Sequence, residues 1–179
     1  MDYFERLVGT LLEREGYWVQ QSYKVELSKA DKRHLGKPSL PRPEIDLLAY
    51  KAGTNELLVI EVKSYLDSFG VDYQKVCVSH REMEGRYKLF TNLKYRNLVL
   101  KRLVAQLKES GSIKAGTLPT LCLAAGKFKP GSESPIRKHF LRKRWKLITP
   151  SEIREGLVEL ADVGYENDPT ILAAKVLLR

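Results

Sequence analysis

The sequence predicts an α/β layered domain, a central mixed β-sheet flanked by helices. Three observations carry that expectation. An apolar stripe at helical spacing opens the chain, two strand-like runs joined by a Gly/Asn turn follow, and helical and strand-like segments then alternate to the C-terminus. A length of 179 residues suits one domain with a real core and is short for two. Residues 1–179 are therefore read as a single domain, with 1–126 as its core and 127–179 as a basic, helical C-terminal part.

The elements follow in order. Phe4, Leu7, Val8, Leu11 and Leu12 form one stripe, so Tyr3 to Arg14 is expected to be a helix, stopped by Gly16. Tyr17 to Leu27 alternates loosely and reads as a strand. Ser28 to Arg42 holds Gly36, Pro38 and Pro41 and reads as a loop. Glu44 to Tyr50 and Leu57 to Val62 are strand-like runs on either side of Ala52-Gly53-Thr54-Asn55, the pattern of a hairpin. After a connection from Ser64 to Gly70, the stretch from Tyr73 to Leu89 leans towards helix in its second half. Tyr95 to Glu109 is a helix that buries Leu98, Val99, Leu103 and Leu107. Leu118 to Ala125 is a buried strand, Pro135 to Arg144 a basic helix and Lys146 to Ile148 a short strand. Pro150 to Ala161 and Thr170 to Leu178 are the final helices.

Bulk properties narrow the function classes. No run of about 18 apolar residues is present, so no membrane span is expected. Met1-Asp2-Tyr3-Phe4-Glu5-Arg6 is not a basic region followed by an apolar run, so no secretory signal is expected. Cys77 and Cys122 are the only cysteines, too few for a disulfide framework, and reduced thiols fit a cytoplasmic protein. His34, His80 and His139 lack ligand spacing. The net charge of +9 and a pI near 9.5 point to a polyanionic partner. The charge is segregated: cations dominate from Arg86 to Lys114 and from Lys127 to Lys146, each stretch with a single glutamate, while the acids gather in the first third and after Glu152.

The chemistry-bearing segment is Pro43-Glu44-Ile45-Asp46 followed by Val59-Ile60-Glu61-Val62-Lys63. Strand alternation puts Glu44, Asp46 and Leu48 on one face, and Val59, Glu61 and Lys63 on one face of the next strand. In a suitable hairpin register, Asp46 and Glu61 converge at one end of the sheet with Lys63 beside them. Charges at the end of a run as apolar as Leu57-Leu58-Val59-Ile60 need compensation. A hard divalent cation supplies it: magnesium takes oxygen ligands at about 2.0–2.1 Å and keeps several waters. Asp46, Glu61 and the Val62 backbone carbonyl are the expected ligands, with manganese able to substitute.

At these residues the chain resembles the PD-(D/E)xK phosphodiesterase superfamily. Asp46 is followed by a strand-turn-strand gap and then Glu61-Val62-Lys63; Ile45 stands where the motif has proline, and Pro43 lies upstream. Phe4-Glu5, then Gly16-Tyr17 and a strand, resembles the opening of the Mrr-like branch. The resemblance covers residues 4 to 66. It implies a restriction-endonuclease-like three-layer fold, residues 1–126 as catalytic core, Asp46 and Glu61 as magnesium ligands, Lys63 as the catalytic lysine and Glu5 as a further catalytic or ligating acid. It implies an endonuclease cleaving DNA, expected as a homodimer because cutting both strands commonly needs two sites. Phosphate contacts are expected first from Arg137, Lys138, Arg142 and Arg144, then from Lys94, Lys101 and Arg102. Ser64 and Tyr65 follow the motif directly and are further candidates for substrate contact. Glu44 is expected in a strand-edge salt bridge, and Tyr95 and Trp145 in the core. Two alternatives stay open: a non-catalytic module that binds DNA or a protein on the same fold, and a structure-selective nuclease acting on branched DNA or RNA.

Overall fold

The structure, a computed structural model, describes residues 2–78 and 86–179. Helix α1 spans Tyr3–Arg14, and Asp2 caps it by accepting hydrogen bonds from the amides of Phe4 at 2.8 Å and Glu5 at 3.4 Å. Three antiparallel strands follow: β1 (Trp18–Lys24), β2 (Glu44–Lys51) and β3 (Glu56–Lys63). Helices α3 (Tyr73–Cys77), α4 (Lys88–Thr91) and α5 (Leu93–Glu109) then lead to β4 (Pro119–Ala125), which lies parallel to β3. Helix α6 (Glu133–Lys143) leads to β5 (Lys146–Ile148), parallel to β4, and α7 (Pro150–Asp162) and α8 (Pro169–Leu178) close the chain. The sheet order is β1-β2-β3-β4-β5.

The layers follow from alternation in β3. Leu58, Ile60 and Val62 pack with Val8 and Leu12 of α1 and Ile153 of α7. Leu57 and Val59 pack on the opposite face with Val99 and Leu103 of α5 and Ile136 and Phe140 of α6. Helices therefore cover both faces, which is why β3 reads as one continuous apolar run. The domain is α/β, with a five-stranded mixed sheet between helical layers. Among the described residues, no helix is long and apolar enough to cross a membrane.

Two segments differ from the sequence expectation. The loop expected from Ser28 to Arg42 contains α2 (Lys29–His34). A capping box starts it: the Ser28 amide donates to Asp31 Oδ2 at 2.9 Å and the Asp31 amide donates to Ser28 Oγ at 3.1 Å. A six-residue helix is too short to show a periodic stripe, so only the Ser-x-x-Asp spacing signals it. In the stretch from Tyr73 to Leu89, helix α3 at the beginning is unexpected, and Lys88 and Leu89 begin α4 within the half expected to be helical. Most of the helix expected there, with His80, falls outside the described residues.

The hairpin register pairs Leu47 with Ile60 and Lys51 with Glu56 across the turn Ala52–Asn55. Asn55 accepts the left-handed φ of 54° that this turn requires, and its side chain accepts hydrogen bonds from Tyr50 and Thr117. At the other end, β3 and β4 meet so closely that Gly126, whose amide donates to the Lys63 carbonyl at 2.9 Å, has no room for a side chain. A Cβ there would overlap the Ser64 carbonyl oxygen and stand 3.0 Å from Phe4 Cζ. Gly126→Ala is therefore expected to lower stability by about 2 kcal/mol, read as a reduced urea midpoint at unchanged slope. Gly53→Ala, which meets open space, is the control and should leave the midpoint in place.

Candidate functional site

The ladder between β2 and β3 ends at Leu47 and Ile60, one residue short of Asp46 and Glu61. Beyond it the Asp46 carboxylate replaces the backbone partner: Oδ2 accepts from the Val62 amide at 2.7 Å. The opposite strand deforms at the same level, where Ser22 has a φ of 52° and the pairing passes from Gln21–Leu47 to Tyr23–Ile45. The expected convergence thus occurs, through a side-chain hydrogen bond rather than through the continued ladder.

Lys63 lies at the centre. Its ammonium is 2.6 Å from Glu61 Oε1, 3.3 Å from Asp46 Oδ2 and 2.9 Å from the Val62 carbonyl oxygen. The side chains of Asp46, Glu61 and Lys63 keep only 20%, 14% and 17% of their exposure. Burial disfavours the Lys63 ammonium, but Glu61 and Asp46 outweigh it and hold its pKa above the ordinary value. Lys63 is therefore a charged donor here. Burial pushes the Glu61 carboxyl up, and the Asp46 charge adds to this while Lys63 opposes it.

The same three oxygens expected to hold magnesium, from Asp46, Glu61 and the Val62 carbonyl, converge on one positive charge. The donor set is all oxygen and doubly anionic, which fits a hard divalent cation. Among the described residues, no three His, Cys, Asp or Glu side chains form a common ligating group, so the carbonyl is an essential member of this set.

An open cavity of about 410 Å³ adjoins the triad and is lined by Asp2, Glu5, Asp46, Val62, Lys63, Ser64, Tyr65 and Arg86. Glu5 projects from the first turn of α1. Burial, then the charges of Asp46 and Asp2, lift its carboxyl to about 7, against a lowering by Lys63. Tyr65 holds a left-handed φ of 47°, and its hydroxyl accepts a hydrogen bond from Arg86 at 3.4 Å. Among the described residues no carboxylate pairs with Arg86. Asp2 and Arg86 are cavity residues that sequence reasoning missed as members of the site. Arg86 was visible only as one cation in a basic stretch, and Asp2 only as a terminal acid.

The basic helices sit on the face towards which Glu61 and Lys63 project, but they spread away from the triad. β4 starts beside Leu57, so α5 runs from the Lys63 end of the sheet to the far end. Lys94 stands exposed near its start and Lys101 further along, while Arg102 donates to Asp31 at 2.9 Å and holds that carboxyl well below its usual range. Helix α6 begins where Ser132 Oγ accepts from the Tyr73 amide, and it ends just before Lys146, whose backbone lies opposite Cys122 and level with Ile60 and whose ammonium pairs with Glu56. Arg137 and Lys138 are exposed at its middle, and Arg137 pairs with Glu133 one turn earlier. Arg142 and Arg144 lie exposed at its far end, roughly 16 Å from its start by helix rise. Glu44 pairs with Lys24 at the strand edge. Tyr95 is buried, and Trp145 packs edge-on against Phe90 and Phe140.

A carboxyl whose folded pKa exceeds its unfolded value opposes folding once it ionises. For Glu5 that cost is absent below pH 4.5, grows as pH rises and is complete above about 7. Glu5→Gln should therefore stabilise the metal-free protein at pH 8 by about 1 kcal/mol, well below the full shift because water screens the site. Urea unfolding in chelator checks this, and the gain should vanish near pH 4.5.

No family model, curated protein or solved structure matches this chain, so its functional reading rests on the geometry of this site.

Proposed function

We propose that this chain is a metal-dependent phosphodiesterase that cleaves DNA, an endonuclease of the PD-(D/E)xK type on a restriction-endonuclease-like fold. The observation that carries the reading is the convergence of Asp46 Oδ2, Glu61 Oε1 and the Val62 carbonyl on the Lys63 ammonium. The chain order supports the fold assignment: a helix, an antiparallel three-stranded unit, then two parallel strands reached through helices.

Asp46, Glu61 and the Val62 carbonyl would hold magnesium, with manganese as a substitute. Bound there, the ion would polarise a phosphoryl oxygen and lower the pKa of a coordinated water. The protein's own groups supply the rest. The Lys63 ammonium, which stands among those ligand oxygens here, would give way to the ion and stabilise the negative charge that grows on the phosphoryl oxygens. Arg86 brings a second cation to the same cavity and binds the non-bridging oxygens of the phosphate. Glu5, a carboxyl in the cavity wall, would accept or return a proton there. Net basicity favours a nucleic acid as the polyanion, with Lys94, Lys101, Arg137 and Lys138 available for backbone phosphates.

The test uses plasmid, linear and single-stranded DNA with magnesium, manganese or chelator. Asp46→Asn keeps an acceptor for the Val62 amide and removes the charge, and Lys63→Met keeps the stem and removes the ammonium. Each is expected to cut cleavage by about 1,000-fold with an unchanged circular dichroism spectrum. Calorimetry should show magnesium binding lost in Asp46→Asn. Arg86→Ala should weaken cleavage by roughly tenfold or more, mainly through KM. Full cleavage by purified Asp46→Asn would overturn the proposal.

A further inference from the structure

The connection from Lys63 to α3 is more than a spacer. Phe69 is 88% exposed and Leu66 59% exposed on a loop whose first residues, Ser64 and Tyr65, line the cavity. The loop is fixed at both ends. On the Lys63 side, Ser64 and Leu66 lie against Gly126, with Leu66 Cδ2 3.2 Å from the place a Cβ there would occupy. On the other side, Val71 bridges Phe128: its amide donates to the Lys127 carbonyl at 2.9 Å, and its own carbonyl accepts from Lys129 at 3.0 Å. Gly70 has a φ of +87°, and a Cβ there would stand 2.5 Å from the Phe128 backbone, so the chain is pinned immediately after Phe69. Within the loop, the Ser68 amide donates to the Tyr65 carbonyl at 3.2 Å and the Lys127 ammonium donates to the Leu66 carbonyl at 3.3 Å.

The surroundings indicate what the loop meets. The Lys127 ammonium reaches the loop at the Leu66 carbonyl, Arg86 donates to the Tyr65 hydroxyl at its start, Lys129 pairs with Asp72 just past its end, and Asp67 is the acid between. A cation on the loop and an exposed aromatic ring three residues on match a nucleotide strand, with a phosphate at Lys127 and a flat base to stack upon. A base inside an intact duplex offers no free face. A ring held on a pinned loop that leads out of the cavity therefore favours DNA whose bases are already unstacked.

We infer that Phe69, supported by Leu66, stacks on an unpaired base next to the scissile phosphate, so that the preferred substrate is DNA at a junction between paired and unpaired strands. This rests on the phosphodiesterase reading above and names its substrate class. The ring contributes to binding at the site and takes no part in the bond cleavage.

The wild-type protein in chelator is titrated with a perfect duplex and with a splayed fork of the same sequence carrying 2-aminopurine at the first unpaired position. The fork is expected to bind about tenfold more tightly than the duplex, with quenching of the 2-aminopurine. Phe69→Ala should lose both the preference and the quenching, Phe69→Trp should keep both, and duplex affinity should stay within about twofold in each. Because the ring is exposed, neither substitution disturbs the core. Equal binding of fork and duplex by the wild type, or fork binding and quenching unaltered in Phe69→Ala, overturns the inference alone. Failure to bind either DNA overturns it together with the phosphodiesterase reading.

Discussion

The Lys63 ammonium between two carboxylates is the interaction on which the site depends. Two anions and one cation at the end of a buried strand would be costly apart, since each loses water. Together they satisfy one another, and the Val62 carbonyl and amide take the remaining hydrogen bonds. The arrangement keeps one negative charge in excess. Burial first, and then the negative charge of Asp46 and Asp2, lift the Glu5 carboxyl at its edge to about 7. A cluster that is too negative by itself is suited to take in a further positive charge.

The sheet makes this cluster possible by ending abruptly. Helices on both faces keep β3 dry up to Ile60, and β2 leaves the ladder at Asp46. The carboxylate then takes over the amide that the backbone no longer serves, so a structural hydrogen bond and a functional position share one residue. The close approach at Gly126 fixes the next segment in the same way, because the Ser64 backbone and the Leu66 side chain both lie against a residue without a side chain. The loop that carries Phe69 thus inherits its position from the strand that carries Lys63.

Charge on the surface is distributed less simply than along the chain. Arg102 is spent on Asp31 and stabilises the cap of α2, and Arg137 pairs with Glu133 on its own helix. Arg142 and Arg144 stand at the C-terminal end of α6, whereas Arg86 lines the cavity and Lys127 reaches the loop that leaves it. A long polyanion running from the cavity along α5 and α6 would meet both groups, while a short one would meet only the nearer cations.

The hairpin and the candidacy of Asp46, Glu61 and Lys63 were legible in the sequence, because alternation, a Gly/Asn turn and an apolar run broken by charge are all encoded within about twenty residues, whereas the register that brings Leu47 opposite Ile60 came only from the structure. The first helix and its stripe were legible for the same reason. Helix α2 was not, since six residues complete no periodic pattern and only its cap carries a signal. Tertiary structure alone decided that Asp2 and Arg86 share a cavity with Glu5 and Lys63, that Arg102 serves Asp31, and that Phe69 is held out to solvent on the loop that leaves the site. These depend on how elements distant in the chain pack against one sheet end, and no local pattern of residue types specifies that contact.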